Sequence, residues 1–250
     1  MFVCYYVGAI AVAMLELRGV SKHFGGLIAN DDISFNVETG QIVGLIGPNG
    51  AGKSTLFDLL TGFYVADSGD VRFQGRSLRR LRPDQINRLG IGRTFQKLKP
   101  FHGMSVEENV MVGVLQHTAN LRVARAQALE ALYFVGLLEK RRASAYMLST
   151  GQRKRLELAR AMATRPRLLL MDEVTGGVDQ RSLPGLIELV NRLKQQGMTM
   201  IIIEHNMQVL MSLADRIVAL HLGRKIAEGA PEAIQNDRNV IESYLGLAYA

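Results

Sequence analysis

The sequence predicts an α/β fold in which a mostly parallel sheet is covered by helices. Two observations predict it. From Arg167 onward, apolar strand-like runs alternate with helix-compatible segments, the pattern of strands buried on both faces. Upstream, the unbroken apolar run Ile42-Val43-Gly44-Leu45-Ile46 passes through a glycine-rich turn into the helix-compatible run Leu56-Phe57-Asp58-Leu59-Leu60. The composition agrees: 250 residues, 48% hydrophobic and 21% charged, suit a folded chain with a substantial core and exclude a disordered one.

In chain order, residues 15–20 and 33–37 alternate like strands, and residues 42–46 read as a buried strand. Residues 69–75 form another strand that ends in a glycine turn. The stretch from about 83 to 164 reads as mostly helical. Ser105 and Glu108 form an S-x-x-E capping box at one helix start, and residues 121–135 make a second helix. Strands at 168–171, 198–203 and 217–220 then alternate with helices at 183–194 and 207–214. No internal repeat is visible, so the chain carries one set of motifs.

Residues 1–15 are uncharged and apolar, too short to span a bilayer comfortably and without the basic flank of a secretory signal. Residues 1–13 are read as a non-native or disordered extension before a natural start at Met14, with a short membrane-associating tail as the alternative. Residues 14–250 are read as one domain. The single cysteine, Cys4, cannot form an internal disulfide, which fits a reducing compartment. A net charge of +7 raises nucleic acid or an anionic membrane as partners. The basic residues are dispersed (Arg79, Arg80, Arg82; Arg141, Arg142; Arg153, Lys154, Arg155) with no aromatic-interleaved stripe, so no nucleic-acid partner is expected.

The glycine-rich turn is Gly47-Pro48-Asn49-Gly50-Ala51-Gly52-Lys53-Ser54-Thr55, a match to G-x-x-x-x-G-K-[ST]. Glycines let the backbone turn its N–H groups inward, and the following helix adds its positive end, a cradle for phosphates. Lys53 then reaches the β- and γ-phosphates and the Ser54 hydroxyl holds Mg²⁺, so a nucleoside triphosphate is the expected ligand. A second signal is Leu168-Leu169-Leu170-Met171-Asp172-Glu173, a hydrophobic strand ending in acids. Asp172 is placed beside the metal, through water, and Glu173 is placed to orient and deprotonate the attacking water. A third is Leu148-Ser149-Thr150-Gly151-Gln152, an S-x-x-Q helix cap with a glycine-bared backbone that is competent to bind an anion.

The order of these motifs, with Gln96, Asp179 and His205, resembles the ATP-binding-cassette ATPases, and within them the ATP-binding subunit of branched-chain amino acid importers. Phe24-Gly25-Gly26-Leu27, Leu60-Thr61-Gly62-Phe63-Tyr64, Gly92-Arg93-Thr94-Phe95-Gln96 and Ile203-Glu204-His205-Asn206-Met207 carry the closer resemblance, which covers nearly everything from Met14 onward. It implies a P-loop NTPase core with an antiparallel β subdomain and an α-helical signature-motif subdomain at about 95–164. It implies an ATPase that uses ATP and Mg²⁺. Phe24 would stack on adenine, and Gln96 would sense the γ-phosphate or the metal. His205 would hydrogen-bond the γ-phosphate or the lytic water, and Asp179 would contact a partner subunit. Ser149, Gly151 and Gln152 would close over ATP held by a second cassette, identical or related, so each site needs two chains. Permease subunits would dock on residues 95–114, a substrate-binding protein would act indirectly, and the chain would sit peripherally on the cytoplasmic face of the inner membrane.

Three departures from the family pattern bear on this reading. Thr150 stands where many cassettes have glycine, a strain if φ must be positive there, though one expected to be tolerated. Val174 replaces the proline after Glu173 and loosens the backbone. Gly176-Gly177 makes the subunit-contacting loop more flexible. None removes a phosphate, metal or base ligand, so an active ATPase is expected. The alternatives are the motor of a lipid or lipopolysaccharide exporter, a soluble cassette ATPase acting outside transport, and a non-hydrolysing interaction module. The second is disfavoured by the lack of a tandem cassette or coiled insertion, the third by the complete site.

Overall fold

The computed structural model describes residues 13–95, 100–101 and 103–245. The expected extension therefore lies outside the described residues, apart from Ala13, and so does Gln96. Four strands make an antiparallel sheet: β1 (Leu15–Phe24), β2 (Leu27–Val37), β4 (Ser68–Phe73) and β5 (Arg76–Ser77), in the order β2-β1-β4-β5. A second sheet takes β3 (Ile42–Ile46), β6 (Ile91–Arg93), β7 (Leu168–Asp172), β8 (Thr199–Ile203), β9 (Arg216–His221) and β10 (Arg224–Gly229), in the order β10-β9-β3-β8-β7-β6. Its pairs are parallel except for the antiparallel edge strand β10.

The helices are α1 (Lys53–Leu60), α2 (Pro83–Leu89), α3 (Val106–Val114), α4 (Leu121–Phe134), α5 (Thr150–Ala163), α6 (Leu183–Gln195), α7 (Met207–Leu213), α8 (Pro231–Gln235) and α9 (Arg238–Leu245). Strand periodicity divides the core into two. Ile42, Leu169, Met171, Met200 and Ile202 point to one face, where α3 to α7 cover them. Val43, Leu45, Leu168, Leu170, Ile201 and Ile203 point to the other, against Leu56, Phe57 and Leu60 of α1 and the inner face of the antiparallel sheet. Helix α1 is thus buried on a shared core, which fixes the loop that precedes it.

The capping signals hold at both predicted positions. Ser105 Oγ accepts the Glu108 amide at 3.2 Å while a Glu108 carboxylate oxygen accepts the Ser105 amide at 2.8 Å, closing the start of α3. Substituting Ser105 with alanine is expected to cost about 1 kcal/mol and lower the melting midpoint by roughly 2–4 °C, read by thermal unfolding. At α5, Ser149 Oγ accepts the Gln152 amide at 3.3 Å and Gln152 Oε1 accepts the Ser149 amide at 3.1 Å. Thr150 is the first helical residue and has no positive φ, so the feared strain does not arise. A residue that does take a left-handed conformation is Glu173, at φ +49°.

Candidate functional site

Register brings the chemistry together. Leu45 of β3 lies opposite Ile203 of β8, and Ile203 lies opposite Asp172 of β7, so three parallel strands end side by side. Ligands of such sheets bind beyond the carboxyl ends of the strands. A cavity of about 270 Å³ opens there, lined by residues 49–55 with Asp172, Glu173, Ile203 and His205, and bounded by residues 27–29 of β2.

The loop beneath it requires glycine at two points. At Gly47 (φ +148°) a Cβ would lie 2.2 Å from the Leu220 carbonyl oxygen, and at Gly52 (φ +97°) 2.2 Å from that of Ala29. Asn30, fully buried, donates to the Gly52 carbonyl at 3.2 Å. Lys53 is buried and curls back on its own loop, donating to the carbonyls of Gly47 at 2.6 Å and Pro48 at 3.0 Å. Burial pushes its pKa down, and Glu173 and Asp172 pull it up. Phosphate oxygens are stronger acceptors than these carbonyls, so an anion entering the cavity can draw the ammonium away from them. The Gly47 amide itself donates to the hydroxyl of Tyr244 in α9, at 2.8 Å.

Asp172 is buried, which pushes its pKa up, and Arg93 opposes that from 3.5 Å. Arg93 also donates to Asp58 at 2.6 Å and to Thr61 at 3.2 Å, with its guanidinium against the rings of Phe57 and Phe95. It thereby ties the end of β7 to α1. Ser54 Oγ and the Asp172 carboxylate line one cavity as hard oxygen donors. That set fits Mg²⁺, which takes one or two protein oxygens and completes its shell with phosphate and water. No group of three His, Cys, Asp or Glu able to hold a metal occurs among the described residues.

Glu173 Oε1 lies 2.9 Å from His205 Nε2, its amide donates to the Ile203 carbonyl at 2.9 Å, and its own carbonyl accepts Lys154 Nζ. Behind them Glu204 is buried and accepts four bonds: from the Thr175 amide at 3.0 Å, the Thr175 hydroxyl at 2.7 Å, the His205 amide at 3.0 Å and the Asn206 amide at 3.2 Å. One carboxylate thus orders the loops after β7 and β8.

The other expected site residues lie apart from this cavity. Phe24 packs edge-on against Tyr64, with ring centroids 4.9 Å apart. Ser149, Gly151 and Gln152 are at the start of α5; a Cβ on Gly151 would meet the Ser182 Cβ at 2.9 Å. Asp179 caps the turn before α6, accepting the Ser182 amide at 3.0 Å and its hydroxyl at 2.9 Å, bonds that lower its pKa. Sequence reasoning missed Arg93, Lys154, Glu204 and Tyr244 as contributors. Glu204 left a signal, an acid directly after the apolar run Met200–Ile203; the others act through contacts between distant segments.

A second concavity, an apolar groove of about 250 Å³, runs past Phe63, Ile86, Phe95, Phe101, Val112 and Arg160. Phe63 and Phe95 meet edge-to-face, and the Arg160 guanidinium covers the Phe101 ring at 4.7 Å. Glu157 lines the groove, its pKa raised by burial and partly restored by Arg160.

Comparison with known proteins gives two family matches: "ABC transporter" over residues 30–176, and "Branched-chain amino acid ATP-binding cassette transporter" over residues 224–250. The chain is 38% identical to the high-affinity branched-chain amino acid transport ATP-binding protein BraF of Pseudomonas aeruginosa, over 94% of this chain and 98% of that protein. It is equally similar, over the same shares, to LivG of Escherichia coli. Among solved structures, the ADP conformation of the cassette MJ1267 superposes with a TM-score of 0.84 at 32% identity, covering 94% of this chain and 99% of that one. A dimeric cassette, MJ0796, in a post-hydrolysis state with ADP and Pi, matches with a TM-score of 0.79 at 25% identity, covering 87% and 99%.

Proposed function

The chain belongs to the ABC transporter family and is one of its P-loop ATPases, and from that premise we propose that it powers import of a small polar solute, a branched-chain amino acid or similar, through partner membrane subunits. The observation that carries the catalytic part is one cavity receiving Lys53, Ser54, Asp172, Glu173 and His205 from three strand ends. In our reading residues 47–55 wrap the triphosphate and Lys53 neutralises the β- and γ-oxygens. Ser54 and Asp172 would hold Mg²⁺, which when bound would supply charge neutralisation at the phosphates. Glu173 takes a proton from the attacking water, and His205 steadies that carboxylate and reaches the γ-phosphate. Phe24 offers a π-face to adenine. Gln96, outside the described residues, is assigned the sensing role that the family pattern implies.

The other wall of the site is proposed to come from a second cassette, identical or related: its Ser149, Gly151 and Gln152 close on the γ-phosphate, and Asp179 meets it from the facing loop. That these residues lie outside the chain's own cavity supports this reading. ATP then favours the closed pair and hydrolysis releases it, a population shift. The groove beside Phe63 and Phe101, between α2 and the helical subdomain proposed at about 95–164, is the proposed seat of a permease segment. Among the described residues no helix is long and apolar enough to cross a membrane. From its family membership we place the chain peripherally on the cytoplasmic face of the inner membrane, with a substrate-binding protein engaged only indirectly.

The test is copurification from membranes with its permeases, followed by ATPase assay with and without solute. Solute-stimulated hydrolysis in the complex is the expected result; isolation without membrane subunits would refute the transport role. Val112, partly exposed in the groove, gives a local probe. Its replacement by glutamate buries a charge on docking and is expected to reduce recovery of permeases at least about tenfold, measured by quantitative immunoblot.

A further inference from the structure

Lys154 stands on the first turns of α5 and is only 7% exposed, a costly setting for an ammonium. It does not line the ATP cavity. It lies behind it, in a small pocket with Thr94, Glu157, Asp172 and Val174. Its Nζ donates to the main-chain carbonyl of Glu173, and Glu173, Glu204, Asp172 and Glu157 surround it with opposite charge. A cation buried this deeply needs such company.

What it holds is an unusual backbone. Glu173 has φ +49°, a conformation uncommon for any residue with a Cβ. Its amide is bonded to Ile203 of β8 and its carbonyl to Lys154, so the residue is gripped on both sides of its Cα. Val174 contributes by what it is not: a proline there would bias the preceding residue toward extended backbone. With Cα held at both ends, the backbone fixes the direction in which the Glu173 side chain leaves the main chain, and its carboxylate meets His205 Nε2 at 2.9 Å.

We propose that Lys154 is a positioning residue that locks the main chain of Glu173 and so aims its carboxylate, tying that aim to the start of α5, where Ser149 to Gln152 lie. The proposal rests on the reading that Glu173 is the base. It joins the segment assigned to the partner's ATP to the base of the chain's own site through one side chain.

A mutant cycle on the full chain tests it, with Lys154→Met, Glu173→Gln and the double variant compared for kcat and for fluorescent-ATP affinity. Lys154→Met is expected to lower kcat by about 10- to 100-fold, the scale of a misaimed catalytic group, with ATP affinity unchanged. In the Glu173→Gln background the same change is expected to have no further effect, because the group it aims is gone. Lys154→Gln, which keeps a donor, is expected to fall between parent and methionine; if the methionine variant does not fold, glutamine carries the cycle. Additive losses, or a loss of affinity matching the loss of rate, would overturn the positioning role and leave Glu173 as base. An ATPase-active Glu173→Gln would overturn the base and this proposal with it.

Discussion

Replacing Glu173 with glutamine is expected to lower ATP turnover by roughly 10²- to 10⁴-fold while ATP is still bound. Glutamine has nearly the same volume, and its amide oxygen can still face His205 Nε2, 2.9 Å from Glu173 Oε1 in the parent. The backbone bonds to Ile203 and Lys154 do not involve the side chain and remain. What is lost is the ability to take a proton from water. Single-turnover phosphate release, with a parallel ATP titration, separates the two effects. A rate within about tenfold of the parent would remove Glu173 from the chemistry.

A second large effect is expected from Gly52→Ala. The new Cβ would sit 2.2 Å from the Ala29 carbonyl oxygen and 2.6 Å from Asn30 Nδ2, at a φ of +97° that alanine rarely adopts. The clash is with backbone, so the loop or β2 has to move, and the loop amides proposed to bind phosphate move with it. ATP affinity is expected to fall by about 100-fold, near 3 kcal/mol. Gly50 is the internal control. It also has a positive φ, +81°, but a Cβ there meets nothing within 4 Å. Gly50→Ala therefore carries only the conformational cost, of order 1–3 kcal/mol at most. Equal losses in a fluorescent-nucleotide titration would show that close approach of β2 does not shape the loop.

These two residues illustrate what was legible in advance and what was not. Gly52 and Lys53 belong to a short motif whose chemistry dictates residue type, so the tight turn at Gly52 and the roles proposed for both could be read locally. The buried strands Ile42–Ile46 and Leu168–Asp172 were also readable, because a strand covered on both faces shows a continuous apolar run, here 42–46 and 168–171. Edge elements were not. Strand β10, Arg224–Gly229, is partly exposed and carries no apolar run, so nothing in its composition marks it as a strand. β1 was read to residue 20 but runs to Phe24, continuing through register shifts that break its alternation. Within the site, Arg93 was read only as part of a family-like run and Lys154 only as one of several dispersed basic residues. Only folding reveals that Lys154 is buried and bonded to the main chain just after β7, and that Arg93 pairs with Asp172 at the end of that strand.

Thr150 and Glu173 make the same point for backbone. Concern about a positive φ fell on Thr150, because glycine is usual there; the structure makes Thr150 helical and puts the left-handed turn at Glu173. A rule about residue type finds positions that favour glycine. It does not find a position where tertiary bonds hold another residue in the same conformation.

The hydrogen bond from the Gly47 amide to Tyr244 makes helix α9 a thermodynamic member of the nucleotide site. If ATP is gripped better by the loop shape this bond supports, linkage requires ATP to strengthen the docking of α9 by the same factor. Occupancy of the phosphate loop is then legible at a helix that touches no phosphate. Anything that grips or displaces that helix acts, reciprocally, as a ligand competing or cooperating with ATP.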